Sequence, residues 1–371
     1  MQADVVVIGA GVQGSAVALR LAQAGRRVVV LERAVPGAEA SSAAGGILSP
    51  GVEAVEPGPF YALCRASLAR YPAFVADVER LSGMSTNLRH LGTLEVALDD
   101  DHARILAARA EKLLKHGLPA EVLDEAAARA LEPALSPQTR GALYFPDEGS
   151  LDPRLLARAT YVAAWRAGAT FVTGQVRRIL TDGGRAVGVE HEAGRIAAGA
   201  VVLAAGSWSL QVEGHGLPPG AVRPVRGQIA LLDTRPPLLS RVVFSGHGYV
   251  VPRPDGRVLC GSTMEEVGFE KAVTAGGLRH VLDVAIEIAP DLEKAPVVET
   301  WSNFRPASPD GEPILGAGSV PGLLYATGHT RNGILLTPVT ADAVSAAILG
   351  RTPPVDLTPF SPARLAAYRR S

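Results

Sequence analysis

The chain has 371 residues, 47% of them apolar, which is enough for a large buried core in two domains or in one domain with sizeable insertions. The formal net charge is −1, no apolar stretch approaches the roughly 20 residues of a spanning helix, and no leader segment precedes the first strand, so we expect a cytoplasmic protein with neither a nucleic-acid nor a membrane partner. Cys64 and Cys260 lie in apolar stretches typical of buried thiols, and no His/Cys cluster has the spacing of a metal site.

The first predicted element is a buried strand, residues 4–8, that leads directly into a glycine-rich turn. In this turn Gly9 permits a tight bend, and Gly11 lets the backbone approach a phosphate closely. Gly14 lets the following helix pack against the strand. Glycine turns are common in a chain with 40 glycines, so this pattern alone does not distinguish a ligand site from a structural turn.

The elements after the turn favour a ligand site. A helix is predicted over residues 15–24, with Gly25 as its left-handed cap, and its N-terminus would face a pyrophosphate. A second apolar strand then ends at Glu32, 18 positions after Gly14, where a carboxylate would bond a ribose hydroxyl. Strand, turn, helix and acidic residue together predict dinucleotide binding.

An inserted module of mixed structure follows. Residues 41–46 are all small and form a loop that is too long for a simple connection, so a ligand should lie against it. Residues 61–81 have helical spacing, residues 92–98 alternate like a strand, and residues 101–131 have a helical pattern with charges on one side.

Next, a helix is predicted from Asp152, and residues 169–172 and 186–189 are expected to form a small antiparallel meander. The nucleotide domain then resumes with an apolar strand at residues 200–206, after which Ser207 and Trp208 mark a helix start.

The chain from residue 225 onward contains a second group of strands, which predicts a substrate domain built on an antiparallel sheet. These strands are expected at residues 225–232, 249–252 and 258–260, separated by Pro/Gly turns. A buried strand at residues 322–328 and an apolar-faced helix at residues 333–349 complete the pattern.

Five motifs occur in the order found in FAD-dependent amine oxidases of the D-amino-acid oxidase superfamily, and the resemblance covers nearly the whole chain. They are the glycine turn and the segments 204–208, 249–253, 304–306 and 328–336. Within this superfamily the chain most resembles the glycine oxidases, on the segments 247–249, 262–264, 305–306 and 331–336. The resemblance implies an α/β, two-domain fold. A Rossmann-like FAD-binding domain (residues 1–84, 145–220 and 306–371) would be interleaved with an antiparallel-sheet substrate domain (residues 85–144 and 221–305).

The resemblance also assigns five residues to the substrate. Oxidation of an α-amino acid requires a fixed carboxylate and a Cα–H bond aimed at the flavin. Arg305 would grip the carboxylate through two hydrogen bonds, unless it forms a surface ion pair, and Tyr249 would add a hydroxyl donor, unless it is only a half-buried strand residue. Arg331 would be a second cation over the site or an interdomain ion-pair partner. His247 would lie near the amine or hold a turn, and Met264 would line the pocket or fill the core.

The resemblance also implies a set of residues that would hold FAD. The FAD would be bound non-covalently, because residues 301–305 contain no cysteine where sarcosine oxidases attach the flavin. Leu48 stands where similar glycine oxidases often have methionine, which leaves the pocket shape open. The start of the helix at residues 333–349 would stabilise negative charge on the reduced flavin. The predicted cofactor residues are Gly9, Gly11, Val12, Gln13, Gly14, Glu32, Arg33, Ser41, Ser42, Ala43, Gly45, Gly46, Ile47, Leu48, Val176, Ala205, Gly206, Trp208, Arg305, His329, Arg331, Asn332, Gly333, Ile334 and Leu335.

The activity implied is oxidation of glycine, and of sarcosine or small D-amino acids, to the imine and then the 2-oxo acid, with oxygen as acceptor and hydrogen peroxide as product. Delivery of the imine to thiazole synthase in thiamine biosynthesis and a homo-oligomeric state are further implications. The alternatives are a dehydrogenase that passes electrons to a quinone or carrier, and a non-catalytic flavin protein acting through a partner. A nicotinamide-dependent dehydrogenase would fit the glycine turn but not the motifs around Arg305 and Arg331.

Overall fold

A computed structural model describes residues 2–54 and 56–370. Its strands are β1 (Gln2–Ile8), β2 (Val28–Glu32), β3 (Ile47–Leu48), β4 (Thr93–Ala97), β5 (Glu121–Leu123), β6 (Gly141–Phe145), β7 (Gly149–Ser150), β8 (Thr170–Thr173), β9 (Val176–Asp182), β10 (Arg185–His191), β11 (Gly194–Leu203), β12 (Arg223–Asp233), β13 (Val242–Ser245), β14 (Gly248–Pro252), β15 (Arg257–Gly261), β16 (Val297–Ala307), β17 (Ile314–Ala317) and β18 (Leu323–Thr327). Its α-helices are α1 (Val12–Gln23), α2 (Ala40–Ala43), α3 (Pro50–Glu53), α4 (Pro59–Ser82), α5 (Asp100–Lys115), α6 (Glu125–Leu131), α7 (Pro153–Arg166), α8 (Ala275–Ile288) and α9 (Thr337–Ile348). Short 3₁₀ helices occur at Gly206–Gln211, Pro290–Lys294, Thr358–Phe360 and Pro362–Arg370.

The first sheet has the strand order β17-β18-β11-β1-β2-β8. All of these pairs are parallel except β17 with β18, and β10 and β9 extend the sheet as an antiparallel ribbon from the start of β11. A parallel sheet is covered on both faces, which explains the continuous apolar runs of β1 and β2.

The alternation of side chains along β1 divides the core of this sheet into two layers. Val5 and Val7 pack in a cluster with α1, α4, α7 and α9, whereas Val6 and Ile8 pack in a second cluster on the opposite face. All four are almost fully buried, and each such side chain stabilises the fold by about 1.5–3 kcal/mol. The rigid sheet therefore fixes the position of the glycine turn that follows Ile8.

The second sheet has the order β16-β12-β15-β14-β13-β4-β6-β5 and is antiparallel except for the pair β13 with β4. On one face Val250 and Cys260 pack against Val281 and Val284 of α8. Val251 lies on the opposite face, where the ring of Tyr249 packs against the same cluster. Because neighbouring residues of β14 point to opposite faces, Tyr249 faces away from α8.

Two separate segments of the chain form the second sheet, first β4, β5 and β6 and then β12 to β16. After each segment the chain returns to the first sheet. The two-domain α/β architecture is therefore confirmed. The particular domain boundaries stay a prediction. In the part of the chain that the structure describes, no helix has the length and apolar character needed to cross a membrane, and no cluster of His, Cys, Asp and Glu side chains could hold a metal ion. Cys64 and Cys260 are buried free thiols, as expected.

Four local predictions need correction. Residues 170–173 pair in parallel with β2 instead of joining an antiparallel meander, which is formed by β9, β10 and β11. The helical region at residues 101–131 consists of α5 and α6 separated by β5, and the small-residue loop contains the one-turn helix α2. The last helix, α9, begins at Thr337 and not at Gly333, because residues 333–336 form turns.

Candidate active site

A cavity of about 230 Å³ lies between the two sheets. One wall consists of the carboxyl ends of β1, β2, β11 and β18 and the turns after them, and the opposite wall consists of residues from β12, β14 and β16. In doubly wound sheets, ligands bind outside the carboxyl ends of the strands. The cavity therefore lies where doubly wound sheets bind their ligands.

The glycine turn forms one end of this cavity. Gly9 has a φ of +99°, and a β-carbon there would lie 2.6 Å from the carbonyl oxygen of Ala204. At Gly14 a β-carbon would lie 2.0 Å from the carbonyl oxygen of Gly9, so α1 can pack on the turn only with glycine at this position. The Val12 N–H at the start of α1 donates to Oγ of Ser41 at 2.9 Å.

Glu32 holds the turn from the end of β2. One carboxylate oxygen accepts a hydrogen bond from the Ala10 N–H at 2.9 Å, and the other accepts one from the Ala34 N–H at 3.1 Å. The side chain also lines the cavity, and each carboxylate oxygen has a second lone pair for a ribose hydroxyl.

Beyond Glu32 the cavity is bordered by a stacked cation. The guanidinium of Arg33 lies 3.8 Å from the ring centre of Trp208 and donates to Glu39 at 2.8 Å. Lys271 donates to the second oxygen of Glu39 at 2.9 Å. This end of the site therefore contains two flat groups, the Arg33 guanidinium and the Trp208 ring, beside charged side chains, which suits the adenosine end of a dinucleotide.

At the other end the small-residue loop approaches Tyr249. A β-carbon on Gly45 would lie 3.3 Å from the Tyr249 ring, and one on Gly46, whose φ is +80°, would lie 2.1 Å from the carbonyl oxygen of Leu151. The buried guanidinium of Arg253 donates to the carbonyl oxygens of Gly45 at 3.0 Å and of Leu151 at 2.7 Å. Arg253 therefore fixes the loop at close range to the cavity.

These features fit FAD. Gly9 and Gly11, at the start of α1, and Gly45 and Gly46, in the small-residue loop, line the cavity without side chains, so the backbone can lie close to a pyrophosphate and to a ring. Gln13 donates to the carbonyl oxygen of Gly333 at 2.5 Å, but its own buried Oε1 has no partner among the described residues. An acceptor oriented in this way is available to a hydroxyl or N–H of the cofactor.

Arg305 on β16 lies in the wall opposite the glycine turn. Its guanidinium donates to the carbonyl oxygen of Thr263 at 3.0 Å and to Oγ of Ser262 at 2.5 Å, and Tyr249 donates to the same Oγ at 3.2 Å. Burial lowers the pKa of Arg305, yet a guanidinium stays charged in proteins. On β12, Gly227 makes room for this group, since a β-carbon there would lie 2.4 Å from Nη1.

Arg331 also lines the cavity, but it has a carboxylate partner. Its Nη2 lies 3.0 Å from Oε1 of Glu53, which is only 11% exposed, and the Glu53 carboxylate raises the pKa of Arg331. Arg331 is near enough to Arg305 that its charge lowers the pKa of that residue. Arg331 therefore lines the cavity as a second cation, and its ion pair with Glu53 lies within the predicted FAD-binding domain and not between the two domains.

His329 lines the cavity as a neutral side chain. Its Nε2 lies 3.1 Å from Oγ1 of Thr340, and burial lowers the pKa of the ring to about 3. The N–H groups of Leu336 and Thr337 bond within the preceding turn, to Asn332 and Ile334. The prediction that a helix starts at Gly333 is therefore wrong, because residues 333–336 form turns and α9 begins at Thr337.

The structure brings most of the predicted residues to this one cavity. Those that line it are Gly9, Gly11, Val12, Gln13, Glu32, Arg33, Ser41, Ala43, Gly45, Gly46, Ile47, Val176, Ala205, Gly206, Trp208, Tyr249, Arg305, His329, Arg331, Asn332, Gly333 and Ile334.

The family of the chain follows from comparison with known proteins. A model of the FAD dependent oxidoreductase family matches residues 4–347. The chain belongs to this family. The prediction of FAD as cofactor is thereby confirmed, whereas its non-covalent attachment stays a prediction.

Among the relatives, glycine oxidase of Geobacillus kaustophilus is 33% identical over 362 residues, which cover 96% of each chain. A crystal structure of glycine oxidase from Geobacillus kaustophilus covers 97% of this chain and 98% of its own, with a TM-score of 0.93. A bifunctional protein ThiO/ThiG of Trichormus variabilis is 35% identical over 93% of this chain. This chain spans about half of that longer relative, 52% of its length.

Two predicted substrate residues of this family member lie outside the cavity. His247 is in the turn between β13 and β14, and its ring lies 3.3 Å from Glu287 of α8 on the other side of the sheet. The turn breaks the alternation that would have placed His247 on the same face as Tyr249. Met264 is 57% exposed, beyond the hydrogen-bonded residues Ser262 and Thr263.

Four predicted cofactor residues do not line the cavity either. Gly14 lies behind the turn, where it packs α1 against Gly9. The Ser42 hydroxyl donates to the carbonyl oxygen of Glu39, and Leu335 is buried in the core beside α4. Leu48 is fully buried, whereas its neighbour Ile47 faces the cavity, so the shape of the pocket depends on Ile47.

Sequence reasoning missed three contributors. Glu53 pairs with Arg331 across 278 positions of sequence, and no local pattern signals such a contact. Ser262 links Arg305 and Tyr249, and its segment indicates a site only through the family resemblance. Arg253 likewise lies in a noted motif, in which a charged residue within an apolar strand was the available signal.

Proposed function

We propose that this chain oxidises glycine, together with other small α-amino acids such as sarcosine, at the cavity between its two sheets. The observation that carries the proposal is the partly buried guanidinium of Arg305, which faces the cavity beside the Tyr249 hydroxyl without a carboxylate partner among the described residues. A partly buried cation that lines a ligand cavity without a carboxylate partner is suited to bind an anion of the ligand. The near full-length relatives that are named glycine oxidase support the same reading.

The dimensions of the site favour a small substrate. Tyr249 lies within 3.3 Å of where a β-carbon on Gly45 would be, and Ile47 and Ile229 line the cavity nearby. A carboxylate bound by Arg305 would therefore place its α-carbon in a narrow space. An amino acid without a large side chain fits there best.

The residues of the chain position the substrate. FAD, when bound, supplies the acceptor for the two electrons that leave the amino acid. Arg305 would bind the carboxylate through two N–H groups while the Thr263 carbonyl oxygen keeps its guanidinium in place, and Tyr249 would donate its hydroxyl to the same carboxylate.

Proton removal from the amine is left to the solvent in this proposal. The cavity carboxylates Glu32, Glu39 and Glu53 already accept hydrogen bonds from protein donors, and His329 is bonded to Thr340. The substrate would therefore react as the neutral amine, and the rate should rise with pH as more of the amine is deprotonated.

With oxygen as the final acceptor, glycine, water and oxygen give glyoxylate, ammonia and hydrogen peroxide in equal amounts. The alternative is a dehydrogenase that delivers the electrons to a quinone or carrier. Cooperation with a thiazole synthase, which the bifunctional relatives suggest by their names, belongs to the same proposal. The homo-oligomeric state and the cytoplasmic location stay predictions.

The test is the stoichiometry of the aerobic reaction. The purified protein with FAD should release one hydrogen peroxide and one ammonia for each oxygen consumed when glycine is added. Turnover of glycine that requires an added quinone or dye would favour the dehydrogenase. No turnover of glycine or sarcosine with any acceptor would contradict the proposed activity.

A further inference from the structure

Three guanidinium groups line the cavity, and they differ in their partners. Arg33 donates to Glu39 at 2.8 Å, and Arg331 donates to Glu53 at 3.0 Å. Arg305 is hydrogen-bonded only to neutral oxygens in the part of the chain that the structure describes. Near the proposed substrate position there are thus two cations, of which one is neutralised.

The carboxylate that neutralises Arg331 is held firmly. Glu53 ends the short helix α3, whose Gly51 N–H donates to the buried Glu148 at 2.5 Å and whose Gly51 carbonyl oxygen accepts from Arg109. The Glu53 N–H donates to the carbonyl oxygen of Ser49 at 3.1 Å. These bonds hold the backbone of α3 in the cavity wall, where the Glu53 side chain is 11% exposed and bonded to Arg331.

We propose that Glu53 restricts this enzyme to substrates with a single carboxylate. The inference rests on the proposed function, because it assumes that Arg305 binds the substrate carboxylate. A second carboxylate near Arg331 would meet the negative charge of Glu53, and like charges at close range weaken binding strongly. Without that charge, Arg305 and Arg331 would form a pair of cations suited to a dicarboxylate.

The first test compares two secondary amines that differ only in a second carboxylate, sarcosine and iminodiacetate. In a Glu53→Gln variant the ratio of kcat/KM for iminodiacetate to that for sarcosine should rise at least about tenfold over the wild type. A Glu53→Asp variant keeps the charge and should keep the wild-type ratio within about twofold. In a Glu53→Gln/Arg331→Gln double variant the gain should disappear, since the second cation is gone.

An unchanged ratio in Glu53→Gln would overturn the proposal. A loss of turnover on both amines in that variant, with a displaced pH profile, would also overturn it, because Glu53 would then act on the substrate amine.

A second measurement separates this inference from the proposed activity. Butyrate and glutarate are unreactive carbon analogues of sarcosine and iminodiacetate, and their binding to the FAD-loaded protein can be followed by perturbation of the flavin absorption. If Glu53 excludes dicarboxylates, the ratio of the Kd for glutarate to that for butyrate should fall at least about tenfold in Glu53→Gln. This holds even if neither amine is oxidised, an outcome that would reject the activity alone. An unchanged Kd ratio would reject the role of Glu53.

Discussion

Tyr249 and Arg305 donate hydrogen bonds to the same atom, Oγ of Ser262, at 3.2 and 2.5 Å. The two donors therefore converge on one point beside the small-residue loop, although they lie on different strands of the second sheet. A substrate carboxylate that takes the place of Ser262 as acceptor would meet both donors at once. This convergence is the structural basis of the proposed carboxylate site.

Replacement of Tyr249 by phenylalanine should weaken glycine binding without emptying the site. One hydrogen bond to a charged group contributes about 1.5–3 kcal/mol, so we expect the KM for glycine to rise about tenfold or more. The flavin absorbance of the purified variant should be unchanged, because Tyr249 is predicted to contact substrate. Initial rates over a range of glycine concentrations test this, and a wild-type KM would remove Tyr249 from the carboxylate site.

Replacement of Glu32 by glutamine should reduce the affinity for FAD. The neutral amide keeps one acceptor for the backbone N–H groups of Ala10 and Ala34, but it loses the charged acceptor available to the ribose. We expect the Kd for FAD to rise at least about tenfold. Titration of the apoprotein with FAD, followed by flavin fluorescence, measures this, with the exposed Glu192→Gln as matched control. Equal Kd values for the two variants would contradict the assignment.

Alanine at Gly14 should destabilise the protein, because its β-carbon would lie 2.0 Å from the Gly9 carbonyl oxygen. Forced overpacking of this kind costs about 1–3 kcal/mol of the free energy of unfolding. The control is Gly276→Ala in α8, where a β-carbon meets nothing within 4 Å and should be neutral or stabilise by up to about 1 kcal/mol. Urea unfolding of both variants measures the free energy of unfolding. Similar losses of this free energy in the two variants would contradict a destabilising contact between a β-carbon at Gly14 and the Gly9 carbonyl oxygen.

Glu148 should make the stability of the fold fall as the pH rises. Burial raises the pKa of this carboxyl from 4.5 to about 8, so between these values the folded protein keeps a proton that the unfolded chain releases. The stabilising effect is complete below about pH 4.5 and is lost toward pH 8, with a slope of up to about 1.4 kcal/mol per pH unit.

A Glu148→Gln variant should show a flatter profile in this window. The measurement is the free energy of unfolding from urea titrations at several pH values, for the wild type and the variant. Parallel profiles for the two proteins would show that Glu148 titrates normally.

The sequence was sufficient for features that depend on local patterns. The apolar runs of β1 and β2 and the spacing of Gly9, Gly11 and Gly14 predicted the first sheet and its turn, because period and glycine sterics act over a few residues. It was insufficient where pairing is non-local. Residues 170–173 pair in parallel with β2, far earlier in the chain, rather than in a hairpin with a neighbouring strand.

The same limit explains the differences at the site. A motif identifies a segment, but which of its side chains faces the cavity depends on strand register and on where a turn interrupts it. Tyr249 faces the cavity and His247 does not, although two positions separate them, and Ile47 faces it instead of Leu48. The pair of Arg331 and Glu53 forms because folding brings α3 next to the loop between β18 and α9.

The most direct test of the account is the reaction of the FAD-loaded protein with glycine in the absence of oxygen. We predict that the wild-type flavin loses its oxidised absorption band. An Arg305→Lys variant that retains FAD should do so at least about 30-fold more slowly at low glycine, because a lysine cannot form the two parallel hydrogen bonds of a guanidinium. A wild-type flavin that stays oxidised with saturating glycine and sarcosine, or an Arg305→Lys variant that reacts as fast as the wild type, would contradict the central claim.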